Sequence, residues 1–148
     1  MALVSLGLGL TLARLIQIDL ATLRLPDRYT LPLIAAGLIL NAIGLQTVPW
    51  NHIAAAATGY LLFAIIGALF YRLRGHEGLG LGDAKLLSAA GAWLGLAALP
   101  YVIMIAAVSG LVFALVRGRA RRSPLAFGPW LALGFWFMWV AAMWVRLP

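Results

Sequence analysis

Long apolar runs, broken by short polar clusters, organise the chain from end to end. A membrane-spanning helix needs about 20 mostly apolar residues, and the pattern predicts six such segments. The first covers Ala2–Thr22, with Arg14 and Asp19 toward its far end. Leu25-Pro26-Asp27-Arg28 then reads as a short polar turn. The second run covers residues 29–48 and ends at Pro49-Trp50; the third covers 53–71 and is closed by Arg72 and Arg74. The fourth starts at Asp83 and stops before Pro100, short for a full span. Ahead of it lies Gly78-Leu79-Gly80-Leu81-Gly82-Asp83-Ala84-Lys85. Its alternating glycines predict a sharp turn that dips into the protein interior, where irregular backbone is shielded from lipid. The fifth run covers 101–116, followed by Arg117, Arg119, Arg121 and Arg122, and the sixth covers 127–145. The expected fold is all-α: a polytopic membrane protein of about six transmembrane helices, with residues 1–148 as a single domain.

Composition agrees with a bilayer as the solvent. Charged residues make up 10% of the chain, against about 25% in soluble domains, and the mean hydropathy is +1.01. Net charge is +7, which in a soluble protein points to nucleic acid. Here the cations sit between apolar runs, so they read as topology signals and no nucleic-acid partner is expected. There is no cysteine, which excludes disulfides and thiolate zinc sites. Loops one, three and five hold Arg24 and Arg28, then Arg72, Arg74 and Lys85, then the arginines of 117–122; loops two and four hold neither Lys nor Arg. The positive-inside bias places loops one, three and five in the cytoplasm and both termini outside.

Only four residues are acidic: Asp19, Asp27, Glu77 and Asp83. A carboxylate inside a membrane segment costs several kcal/mol unless it is paired or wetted, so it marks candidate chemistry. The predicted topology brings Asp19 and Asp83 to one depth on the cytoplasmic side. Two Asp side chains a few Å apart cannot both ionise and so share a proton, the arrangement of aspartic proteolysis. The competing reading is helix capping, since an Asp after a glycine turn is a favoured N-cap. Lys85 and Ser88 stand three apart, the spacing of a Ser/Lys dyad, but Lys85 reads better as an interfacial residue that steadies Asp83. Asp27 and Glu77 could offset the protein's positive charge beside the dyad, or simply solvate their loops. His52 and His76 fall in opposite loops, so no metal site is expected, and the chemistry needs no cofactor. The tryptophans read as interfacial belt and packing, and the Gly91-Ala92-Trp93-Leu94-Gly95 stretch as a close helix contact.

Gly80-Leu81-Gly82-Asp83-Ala84-Lys85-Leu86 resembles the GxGD signature of intramembrane aspartyl proteases, in the GxGDxKL form of type IV prepilin peptidases. The stretch from Asp19 through Pro26-Asp27 to Leu31-Pro32 resembles that family's first motif, and Phe127-Gly128-Pro129-Trp130-Leu131-Ala132-Leu133-Gly134 its PFGPFLALG segment. The resemblance implies that Asp19 and Asp83 are the catalytic pair and that Gly80 and Gly82 shape the turn. It implies a cell-membrane enzyme that removes short basic leader peptides from pilin-like or preflagellin-like precursors at the cytoplasmic face. The chain opens almost directly on the first catalytic segment and lacks cysteine, so it resembles the short form, without the methyltransferase extension. The presenilin branch fits less well: Ile18, not Tyr, precedes Asp19, and no Pro-Ala-Leu occurs.

The alternative class is a small transporter or a scaffold in a pilus or secretion apparatus, since intramembrane carboxylates also line ion paths. Transporters show repeat symmetry with broken helices in both halves. This chain has one glycine-interrupted element, which favours the peptidase.

Overall fold

The computed structural model describes residues 2–75, 80–117 and 126–145. It contains α1 (Ala2–Thr22), α2 (Asp27–Leu45), α3 (Trp50–Arg74), α4 (Leu81–Leu94), α5 (Leu99–Arg117) and α6 (Gly128–Val145). A 3₁₀ turn at Leu96–Ala98 leads into α5, and no strand occurs among the described residues. The all-α reading and all six runs hold. The ends of α1 coincide with those expected, and the others move by a few residues. Glu77, His76, Arg119, Arg121 and Arg122 lie outside the described residues.

Backbone chemistry sets several of these ends. α1 stops where Leu23 enters the left-handed region at φ 53°, with its N–H donating to the Asp19 carbonyl at 2.8 Å. That conformation costs a branched residue about 1–2 kcal/mol, so packing downstream must hold it. Pro26 fixes an extended residue before α2, and its carbonyl accepts from the Tyr29 and Thr30 amides. α3 ends on Gly75 at φ 72°, a helix-terminating conformation that glycine adopts without strain.

Among the described residues, four helical stretches are long and apolar enough to cross a membrane: Ala2–Thr22, Asp27–Leu45, Trp50–Arg74 and Leu96–Val116. α6 is as apolar but shorter. α4 has 14 residues, about 21 Å at 1.5 Å per residue, against a hydrocarbon core of about 30 Å. It is shorter than a straight span and sits at the centre of the bundle. Every residue from Leu86 to Trp93 is buried, because α3, α2, α6 and α5 all pack on it. A helix that is apolar and small on every side is what such a position requires.

Small residues make the closest approach possible. A methyl group on Gly91 would lie 2.5 Å from the Ala55 carbonyl oxygen of α3, so the close contact expected of this stretch is real and admits no side chain. The carbonyls at the end of α4 lack intrahelical donors. Asn41 reaches across from α2 to donate to Ala92 and Trp93, at 3.1 and 3.3 Å. Trp93 donates its indole N–H to the Leu33 carbonyl at 2.8 Å and meets Trp139 edge-on at 5.2 Å. Trp93 is thus packing, as expected for most of the tryptophans, while Trp50 and Trp144 project outward.

The described part of the glycine turn begins at Gly80, which is exposed, while Gly82 packs against Leu25; Gly78 and Leu79, on which the expected dip also falls, lie outside the described residues. The 3₁₀ turn after α4 extends α5 and adds nothing to the fourth segment.

Candidate active site

α1 buries one stripe: Leu8, Leu12, Leu15 and Asp19. Their spacing of four, three and four keeps them on one helix face. Asp19 is therefore placed by the same periodicity that places the core leucines, and only 5% of its surface is exposed. Its Oδ2 is buried and accepts no hydrogen bond from a described residue. A buried acceptor left without a donor costs about 1–3 kcal/mol, so this carboxyl oxygen is set to receive one.

Asp83 is the third residue of α4 and is half-buried. Its amide donates to the Gly80 carbonyl at 3.1 Å, and the Gly80 backbone N–H faces its carboxylate. The Asp83 and Asp19 carboxylates are close enough to interact through their charges. Two acids 64 positions apart in sequence thus meet where α1 ends and α4 begins. Asp83 is not an N-cap, because Gly80 holds that position and no side chain caps α4.

The third motif joins them. α6 begins at Gly128, with the Phe127 carbonyl accepting from Trp130 and Leu131. The Gly128 N–H faces Asp19. A methyl group on Gly128 would fall 2.5 Å from Asp19 Oδ2, a distance real atoms do not reach. The N-termini of α4 and α6 both point their free amides at the acid pair, where the helix dipole favours negative charge. Leu25, in the α1–α2 turn, wedges the junction: a methyl on Gly82 would lie 2.8 Å from its Cβ, and one on Gly128 3.3 Å from its Cδ1. Gly128 and Leu25 are site residues that sequence reasoning did not single out. Gly128 stands inside the quoted Phe-Gly-Pro segment, which carried the only signal.

The other expected residues sort differently. Gly82 lies within the junction, at the start of α4. Asp27 opens α2 and makes no local capping bond. Its carboxylate pairs with Lys85 at 2.5 Å, across 58 positions. Lys85 accordingly serves Asp27, not Asp83, and its ammonium is committed away from Ser88. The pair ties α2 to α4 beside the dyad. The expected contribution of Asp27 against incoming positive charge is cancelled by its own partner, and Glu77 lies outside the described residues. Among the described residues no group of three or more His, Asp or Glu side chains could hold a metal ion.

This pair is solvent-facing, with 58% of the Asp27 side chain exposed, and such pairs contribute only about 0–1 kcal/mol. Asp27→Asn still accepts a hydrogen bond from Lys85. The expected result is a small drop in thermal stability with most activity retained, read by unfolding of the purified protein and by substrate cleavage. A dead Asp27→Asn beside an Asp19→Asn that cleaves normally would make Asp27, not Asp19, the partner of Asp83.

A profile of the type IV leader peptidase family matches residues 6–115. The chain belongs to the type IV leader peptidase family. It is 49% identical over 137 residues to a prepilin leader peptidase/N-methyltransferase of Burkholderia pseudomallei (strain 1026b), covering 90% of this chain and 44% of that protein. It is 46% identical over 121 residues to a protein of the same name from Pectobacterium carotovorum, covering 79% and 43%. For the Aeromonas salmonicida (strain A449) protein the figures are 39% over 146 residues, 96% and 49%. The chain spans about half the length of the curated relatives it matches. No solved structure matches it. As a type IV leader peptidase family member with long apolar helices, it is a multi-pass membrane protein.

Proposed function

We propose that this protein is a membrane-embedded aspartic endopeptidase that removes the basic leader from type IV prepilin-like precursors at the cytoplasmic face of the cell membrane. The observation that carries this reading is the meeting of Asp19 and Asp83. One carboxyl is held ionised and one protonated, because two neighbouring negative charges repel each other. The ionised member takes a proton from water as the water oxygen attacks the scissile carbonyl carbon. The protonated member hydrogen-bonds the carbonyl oxygen and gives it the proton. Collapse of the tetrahedral adduct breaks the C–N bond and returns a proton to the leaving amine. The pair titrates as a unit, so neither proton belongs to a named residue. The exposed glycine at the head of α4 leaves the backbone beside Asp83 bare, and an extended peptide can approach it there. The curated relatives are named for prepilin leader cleavage, which supports the same substrate class here.

Co-expression with candidate pilin precursors tests the reading directly: a mass shift equal to the leader is expected, and no cleavage of any cognate precursor overturns it.

The cytoplasmic placement rests on cation distribution. The ends of α1, α3 and α5 and the starts of α2, α4 and α6 lie at the positively charged end of the bundle, with Arg24, Arg28, Arg72, Arg74 and Lys85. Reporter fusions after Leu45 and after Leu96 are expected to behave as exported. Cytoplasmic behaviour of both would invert the topology and move the acid pair to the outer face.

A further inference from the structure

α1 and α2 are consecutive, yet they scarcely touch: α1 leans on α6, and α2 on α4. Between them lies a cleft of about 360 Å³ with Trp93 among its walls. Its α1 wall includes Gly7, where an added methyl would meet nothing within 4 Å. Its α2 wall runs from Tyr29 to Leu40, eleven steps and so about 16 Å. The lining is apolar along most of this length, with Thr11 the uncharged polar exception on α1, and changes character at one end, where Arg28 contributes. The Arg28 guanidinium lies 5.1 Å from the Tyr29 ring and has no ion-pair partner among the described residues. The nearest acid in sequence, Asp27, is already taken by Lys85. Pro32 also lines this end, and its missing N–H leaves the Arg28 carbonyl without its helical donor.

We propose that this cleft binds one phospholipid with an anionic headgroup, the acyl chain lying between α1 and α2 and the phosphate resting on Arg28. Volume decides against a protein occupant. A helix about 10 Å across and 16 Å long fills roughly 1,300 Å³, several times the cleft, whereas one narrow hydrocarbon chain fits an apolar slot of this size. Charge decides the headgroup: an arginine at the mouth of an interhelical slot, aromatic-stacked and free of carboxylates, matches phosphate. The position of Arg28 at the arginine-rich end agrees with the anionic cytoplasmic leaflet. The site is separate from the acid pair and stands whether or not the chain cleaves precursors.

The test uses the full chain in nanodiscs of equal phosphatidylglycerol and phosphatidylethanolamine, followed by gentle extraction and native mass spectrometry of retained lipid. One phosphatidylglycerol per protein is expected, enriched about fivefold over phosphatidylethanolamine, the preference one arginine near the surface confers. Arg28→Gln should retain lipid with that preference lost. Gly7→Leu, whose Cβ has open space and whose side chain would occupy the slot, should cut total retained lipid several-fold, and Ala36→Leu gives the same readout should Gly7→Leu fail to fold. Unchanged headgroup preference in Arg28→Gln, or undiminished lipid in the filled variants, overturns the proposal. So does a photo-crosslinker at Ala36 that captures polypeptide instead of lipid.

Discussion

Asp83→Asn and Asp19→Asn are each expected to abolish leader cleavage, by at least about 10⁴-fold, while the protein accumulates in the membrane at normal abundance. The magnitude follows from the mechanism. Asn keeps the size and polarity of Asp but can neither accept the water's proton nor deliver one to the carbonyl oxygen. Groups that act as a unit lose nearly everything when one is removed, so the double variant should be no slower than either single one. This non-additivity distinguishes a shared-proton pair from two acids with separate tasks, whose losses would multiply. The measurement is leader removal by purified enzyme in detergent, with unfolding curves to exclude collapse. Neither substitution should destabilise, since each removes charge from a desolvated position. Wild-type rates for both variants would refute the protease reading. A dead Asp83→Asn beside an active Asp19→Asn would leave Asp83 in place and send the search for its partner elsewhere.

The helices were legible because apolar runs of spanning length have few alternatives in a chain with so little charge. The acid pair was legible for a related reason. With four acidic residues in 148, alternating topology leaves few ways to bring two of them to one depth, and the motif resemblance selected Asp19 and Asp83 among them. What the sequence concealed was lateral arrangement. Topology says which ends share a side, but not which helices touch. It did not show that α4 is the buried centre: the fourth run read as short, but length does not say which helices pack around it. Nor did it show that α1 and α2, joined by a short turn, would stand apart. The ion pair of Asp27 was hidden for the same reason: its partner Lys85 lies on another helix, 58 positions away. Gly128 required the packing of α6 against α1, a contact between the two ends of the chain.

That contact makes the last prediction severe. Gly128→Ala should lower the rate of cleavage about 100-fold with KM little changed. The added Cβ would sit 2.5 Å from Asp19 Oδ2 and 3.0 Å from its Cγ, so either the carboxyl group or the start of α6 must shift by several tenths of an ångström or more. Misplacement of a reacting group by about 1 Å costs on the order of 10²-fold. The fold should survive, because a shift at the first residue of α6 leaves the buried Leu131, Ala132 and Phe135 in their places. Two other glycines calibrate the result. At Gly44 a methyl meets nothing within 4 Å, so Gly44→Ala should cleave at the wild-type rate, with a gain from helix propensity of up to about 1 kcal/mol. At Gly134 a methyl would lie 2.6 Å from the Val102 carbonyl oxygen, a clash of the same size but six residues, about 9 Å, further along the helix. Gly134→Ala should therefore lose stability without a selective loss of turnover. If Gly128→Ala turns over normally, the start of α6 does not position Asp19. If Gly134→Ala mimics it in rate as well as stability, the loss is one of folding and not of geometry at the acid pair.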